Sequence, residues 1–211
     1  MKTSVVCVSH ATGAGGNEVG RLVAERLGFR YVDEDLVSQA ALRAGVDASE
    51  IADEERRKSW LARVLDDLAA GGGEAAWAMT GFGPYGAVGV ATTSDELRAY
   101  IREAIEETAG HGRAVIVAHA ASHALAGRQD ALRVLVTASP ATRAGRLAEA
   151  EGLDETRAER AIKDADAGRA DYLKRFHAVE QELPTQYDLV LNTDQLSPEQ
   201  AAALISEAAS T

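Results

Sequence analysis

Apolar positions along the chain come in short continuous runs, separated by stretches with helical spacing. The first run, Ser4-Val5-Val6-Cys7-Val8, is rich in β-branched residues, like a central parallel strand covered on both faces. Gly13, Gly15 and Gly16 follow, and residues 17–27 then place Val19, Leu22, Val23 and Leu27 at helical spacing, closed by Gly28. Phe29-Arg30-Tyr31-Val32 reads as a second strand, ending at Asp33-Glu34-Asp35, and residues 36–44 as a helix stopped by Gly45. Residues 48–70 are charged and helical, with a stripe of Trp60, Leu61, Val64, Leu65 and Leu68, and Gly71-Gly72-Gly73 breaks them. A loop spans 81–89, and Ser94, with Asp95 and Glu96 behind it, caps a helix that runs to about 109. Ala114-Val115-Ile116-Val117 and Leu132-Arg133-Val134-Leu135-Val136 are the third and fourth strands. Ser139-Pro140 opens the next helix, residues 154–177 read as a helical pair, residues 187–191 as a fifth strand, and Ser197-Pro198 opens a terminal helix ending near 209. Strands alternating with helices in this way predict parallel pairing through right-handed crossovers. The expected fold is a three-layer α/β/α sandwich around a five-stranded parallel sheet.

Composition narrows the picture further. A chain of 211 residues fits a single domain over 1–211, with residues 48–90 as a variable helical and glycine-rich excursion. At 46% apolar and 26% charged residues it is too apolar for disorder. Its 22 Lys+Arg against 33 Asp+Glu give a net charge of −11, which argues against nucleic acid as a partner. No run approaches the about 18 apolar residues of a membrane span, and the stretch from 3 to 8 is shorter than a signal-peptide core. Cys7 is the one cysteine and sits in an apolar run, where a buried structural thiol is expected. These features together predict a soluble, cytoplasmic protein. The apolar helix over 59–68 offers core packing or a contact between copies in a homo-oligomer.

Chemistry is expected first at Ser9-His10-Ala11-Thr12-Gly13-Ala14-Gly15-Gly16-Asn17, a strand-to-helix connection laid out as a phosphate cradle. Glycines allow successive backbone N–H groups to converge on an anion, and the helix start adds partial positive charge. The bland alternative is a tight turn without a ligand, but ligands of open α/β sheets sit at the carboxyl ends of strands, where this turn lies. The spacing is neither Walker A nor Rossmann: Gly16 stands where the Walker lysine belongs and Glu18 near its hydroxyl position. His10, Thr12, Gly13, Ala14, Gly15, Gly16, Asn17 and Glu18 are the candidate nucleotide-binding residues.

The segment from Val8 through Ser9-His10-Ala11-Thr12-Gly13-Ala14-Gly15-Gly16-Asn17-Glu18-Val19-Gly20 to Gly28 resembles the N-terminus of the cytidylate-kinase-like family, which reads Ser-Arg-x-x-Gly-Ser-Gly-Gly-Arg-Glu-Ile-Gly. Tyr31-Val32-Asp33-Glu34-Asp35-Leu36 is similar to that family's Tyr-Tyr-Asp-x-Glu-Leu. Val134-Leu135-Val136-Thr137-Ala138-Ser139-Pro140, continuing through Arg143 and Arg146, resembles the fourth strand and the start of the lid in nucleoside monophosphate kinases. Lys163, Asp166, Arg169 and Tyr172 resemble the lid-helix pattern Lys-x-x-Asp-x-x-Arg-x-x-Tyr, and Tyr187-Asp188-Leu189-Val190-Leu191-Asn192-Thr193 the terminal strand.

The resemblance implies a P-loop kinase fold with a helical lid over 140–177. It also implies transfer of the γ-phosphoryl group of ATP, with Mg2+, to a nucleoside monophosphate. Arg143, Arg146, Arg169 and Arg175 would then close onto the phosphates, a role that suits the permanently charged, forked guanidinium. Asp33 would anchor a magnesium-bound water or a substrate hydroxyl, or simply cap the following helix. Three arginines of the family pattern are replaced: His10, Asn17 and, in Ala118-His119-Ala120, His119. A histidine with its usual pKa near ~6.5 is mostly neutral at pH 7. The candidate catalytic residues are thus Arg143, Arg146, Arg169, Asp33 and His119, with no dedicated metal ligand. The alternative function is a degenerate kinase fold that binds a nucleotide or phosphate ligand as a regulatory or partner-binding module.

Overall fold

The computed structural model describes residues 3–33, 94–118 and 121–211; side chains are described for all of these except 94–101, 175 and 176. The helices expected over 36–44 and 48–70, the apolar stripe, the glycine-rich stretch to 90, Asp35 and His119 lie outside the described residues. By packing, the chain divides into one unit drawn from 1–31 and 112–211 and another from 32–111.

In chain order the described elements are β1 (Val5–His10), α1 (Gly16–Leu27), β2 (Arg30–Asp33), α2 (Ser94–Gly110), β3 (Ala114–Val117), α3 (Ala121–Ala124), β4 (Ala131–Thr137), α4 (Pro140–Glu151), α5 (Glu155–His177), a 3-10 turn (Pro184–Gln186), β5 (Leu189–Asn192) and α6 (Pro198–Ser210). The sheet runs β2-β3-β1-β4-β5, with β1 parallel to both β3 and β4, and β4 parallel to β5. The register sets Val6 beside Val115 and Leu132, and Val8 beside Val117 and Val134.

Because strand side chains alternate, Val6, Val8, Val115, Val117, Val134 and Val136 share one face, which α1 and α6 cover with Val19, Val23, Ala201, Ala202 and Ile205. Each valine so buried contributes about 1.5–3 kcal/mol of transfer free energy. Val5, Cys7 and Ser9 face the other way, and Ser9 donates to Ser122 of α3 at 3.0 Å. Cys7 is a fully buried free thiol, as expected, and burial pushes its pKa up to about 12.

Local chemistry marks the helix starts. Ser139 accepts from the amide of Thr142 and Asp154 from that of Arg157, while Ser197 and Gln200 form a reciprocal capping box with Pro198 in the first turn. The helical pair expected over 154–177 is instead one continuous helix. Gly168 lies inside it, costing about 1 kcal/mol against alanine. Ala158 and Ile162 pack against Ala144 and Leu147 of α4 and offset that cost. Two elements went unforeseen, α3 and the 3-10 turn, both too short to show periodicity. No described helix is long and apolar enough to cross a membrane.

Candidate nucleotide-binding site

The loop between β1 and α1 is built so that its amides stay open. Ala11 donates to the carbonyl of Val136 at 3.1 Å, which ties the loop's first residue to β4, and Ala14 donates back to Ala11 at 3.0 Å. Gly13 (φ +78°) and Gly15 (φ +80°) take left-handed conformations that a side chain would strain. The first helical bond of α1 runs from Val19 to Gly15 at 3.1 Å. Among the described residues, no protein group accepts from the amides of Gly13, Gly15, Gly16 or Asn17.

Three successive carbonyls of the same loop are gripped from α4 and from the residue after β5. Arg143 Nη1 donates to Thr12 O at 3.3 Å and Arg146 Nη1 to Gly13 O at 3.5 Å, while Thr193 Oγ1 donates to Ala14 O at 2.9 Å. A trans peptide plane points its C=O and the next N–H in opposite directions. Holding the Thr12 and Ala14 carbonyls therefore aims the N–H groups of Gly13 and Gly15 away from α4 and β5. Together with the start of α1 they form a concave set of donors suited to an anion.

Sterics fix the glycines. A Cβ on Gly13 would lie 2.7 Å from the carbonyl oxygen of Arg143. One on Gly16 would lie 2.3 Å from both Cβ and Cγ of His10, so the imidazole occupies the space a side chain at 16 would need. His10 Nδ1 lies 3.4 Å from the carbonyl of Ala11. Asn17 and Glu18 are exposed in the first turn of α1, Thr12 is half-buried and Ala14 is fully buried.

The three described candidate arginines are all engaged with protein. Arg143, 5% exposed, makes a two-pronged pair with Asp166 of α5 at 2.8 and 2.7 Å, and its Nε is buried without a partner. Arg146 donates to Thr193 Oγ1 at 3.0 Å and to the Thr193 carbonyl at 2.6 Å. These two stand behind the loop and brace it, where the resemblance implied closure onto phosphates.

Arg169 forks onto Glu182 at 2.9 and 2.6 Å, and the Tyr187 hydroxyl donates to the same carboxylate. Burial opposes charge on both Arg169 and Glu182. Their mutual contact outweighs it, holding the arginine's pKa above and the carboxylate's below the usual values. His123 Nε2 lies 3.3 Å from Tyr187 Oη, and the His177 ring lies 5.8 Å from that of His123. Burial pushes the Tyr187 phenol up and His123 down.

Asp33 is the half-buried last residue of β2. Glu182, Tyr187, His123 and Thr193 were not singled out for these contacts from the sequence. Tyr187 and Thr193 lay within a recognised motif, but nothing in it marked the Thr193 hydroxyl. No group of three or more His, Cys, Asp or Glu side chains gathers as a metal cage among the described residues.

The sequence signature of the cytidylate kinase-like family matches residues 5–195. No curated protein sequence matches the chain. Among solved structures, an uncharacterised protein from Eubacterium ventriosum ATCC 27560 aligns with TM-score 0.67 and 15% identity, covering 97% of both chains. TT1252 from Thermus thermophilus aligns at TM-score 0.51 and 16% identity, covering 99% of this chain and 98% of its own. Shikimate kinase from Bacteroides thetaiotaomicron aligns at 0.50 and 15%, covering 97% of each. At such identities the likeness is one of fold, the α/β P-loop kinase fold. The chain belongs to the cytidylate kinase-like family.

Proposed function

We propose that this member of the family binds the triphosphate of ATP, carried with Mg2+, on the amides of residues 13–17. It passes the γ-phosphoryl group to a small acceptor, for which family membership favours a nucleoside monophosphate. The observation that carries this reading is the loop itself: amides of Gly13, Gly15, Gly16 and Asn17 without acceptors among the described residues, opposite carbonyls that are tied back. Phosphoryl transfer asks a protein mainly for positioning and positive potential. Rigid amide dipoles supply the first at no reorganisation cost. Arg146, held by the neutral groups of Thr193, adds positive potential from behind the loop, while the charge of Arg143 is offset by Asp166 and Arg169 reaches a phosphate only by leaving Glu182.

Magnesium in such sites takes most ligands from phosphate and water, with one or two carboxylates. Asp33 is the proposed holder of a metal-bound water. Carried on the nucleotide, the ion would neutralise charge building on the transferring group.

A second reading is favoured by a specific observation. Where the family pattern has arginines, this chain has His10 and Asn17, and the described lid arginines are already paired with protein. A fold so arranged suits retention of a nucleotide or phosphate ligand as a regulatory or partner-binding module. Incubating the protein with Mg-ATP and a panel of nucleoside monophosphates, with shikimate as a further acceptor, separates the two. ADP formation that depends on one acceptor supports the kinase. Calorimetric ATP binding with no transfer to any acceptor supports the module, and no binding of ATP or pyrophosphate removes both.

A further inference from the structure

Thr193 lies far along the chain from the glycine loop, just past the end of β5, and is 3% exposed. Its amide donates to the Thr137 carbonyl at 2.8 Å, which fixes the backbone on the end of β4. Its carbonyl and its hydroxyl both accept from Arg146, at 2.6 and 3.0 Å. With an arginine donating to it, the hydroxyl must send its own proton elsewhere, since it has one donor and two lone pairs. Two acceptors are in reach: Ala14 O at 2.9 Å and Thr137 O at 3.3 Å. The nearer is the loop carbonyl. A charged donor on the oxygen also polarises the hydroxyl and strengthens the bond it gives.

The geometry points to Thr193 as a positioning residue for the phosphate tail. The relay from the Arg146 guanidinium through the Thr193 hydroxyl to the Ala14 carbonyl orients the Ala14–Gly15 peptide so that the Gly15 N–H faces the anion. This rests on the polyphosphate reading of the loop for its ligand, and on the loop geometry alone for its structural half. Gly15 at φ +80° has no side chain to hold it and leads straight into α1. Without the relay, that peptide is free to turn, and an amide aimed at a phosphate becomes a carbonyl that repels it. The relay thus does from the rear what a lysine at position 16 would do from the front, in a loop where His10 leaves no room for one. Arg143, braced by Asp166, repeats the device two peptides earlier at Thr12.

Thr193→Val keeps the shape and the backbone bonds but removes the relay, whereas Thr193→Ser keeps the hydroxyl. Two readouts apply: the 15N-amide signal of Gly15 in the unliganded protein, and calorimetric affinity for Mg-ATP. The valine variant is expected to shift or broaden the Gly15 signal and to weaken ATP about tenfold, the scale of one well-placed hydrogen bond. The serine variant should stay within about threefold of wild type, since it retains that bond. Should the valine variant fail to fold, Arg146→Met removes the other end of the relay and takes the same two readouts.

An unchanged Gly15 signal in the folded valine or methionine variant overturns the inference, and so does a perturbed signal with wild-type ATP affinity. If the signal responds to valine and recovers with serine while wild type binds neither ATP nor pyrophosphate, the relay stands as a device of the loop. In that case it is the polyphosphate reading that falls.

Discussion

Among the described residues, four arginine–carboxylate pairs are each made by two N–H···O bonds, yet they fall into two sets by where the guanidinium lies. Arg128 with Asp130 and Arg133 with Asp188 sit where β4 and β5 begin, with 32% and 23% of the arginine side chains exposed. Arg143 with Asp166 and Arg169 with Glu182 tie down α5, with 5% and 9% exposed. The first set works at the rim. Asp130 also accepts from Ser4, and Asp188 from the amide of Arg133, so these pairs pin the sheet's starting edge. Exposed pairs of this kind are worth about 0–1 kcal/mol.

The second set has taken two guanidiniums out of water. Desolvation then cancels most of the attraction, and the value of the pair lies in location. Asp166 and Arg169 are three residues apart and share one face of α5. One anchors that face to the back of the glycine loop, the other to Glu182 and Tyr187. The same two-bond pairing therefore registers strands in one place and seats a helix in the other.

Substitutions that remove a carboxylate should separate the two sets, and Asp166→Ala should do so most strongly. It leaves Arg143 buried and charged with only the Thr12 carbonyl among the described residues. A loss of about 2–4 kcal/mol is expected, at the low side for a broken buried pair because Asp166 itself is partly exposed. Thermal denaturation should show Tm lowered by about 4–12 °C; a drop under about 1 °C would move this pair into the rim set.

Glu182→Gln keeps the shape and one acceptor but loses the charge. It should cost about 1–2 kcal/mol, seen as a shift of the denaturant midpoint at constant slope. Asp188→Asn should stay within about 1 kcal/mol, and the difference should fade near 1 M salt, where the screening length falls to about 3 Å. An effect as large as that of Asp166→Ala would erase the distinction.

The smallest expected effect is in pH dependence. Burial lowers the pKa of His123, with Glu182 opposing and Arg169 and Arg133 assisting, so the folded chain binds that proton less readily than the unfolded one. The stability from this group is complete above the ordinary value of 6.5 and is lost as pH falls below it. His123→Gln should flatten the Tm profile between about pH 7 and 5. Below that, the depressed carboxylates Glu182 and Asp188 make stability fall further as acid protonates them.

The fold was legible because its signals are local. Each buried strand is a short β-branched run, and helices announce themselves through Ser139-Pro140 and Ser197-Pro198. The glycine loop was legible for the same reason, since left-handed positions need Gly13 and Gly15 whatever lies around them. What stayed hidden was the environment of the polar side chains. Thr193 and Ala14 meet across 179 residues of sequence, and Arg143 and Thr12 across 131. No spacing rule reaches that far. The candidate lid arginines came from the family resemblance, and their partners in the structure are set by how α4 and α5 pack. Glu182 lies in an aperiodic stretch, and only the fold reveals it as the carboxylate that Arg169 holds.

The imidazole resting on the first turn of α1 has a consequence for anyone redesigning this loop. With position 10 filled as it is, grafting a Walker-type lysine onto residue 16 by itself would drive the new side chain into the ring. The two sites must be exchanged as a couple, His10→Gly with Gly16→Lys, for the added ammonium to find a cavity. Residues six apart in sequence thus act as one locus, and a library that varies them singly would never visit the combination that works.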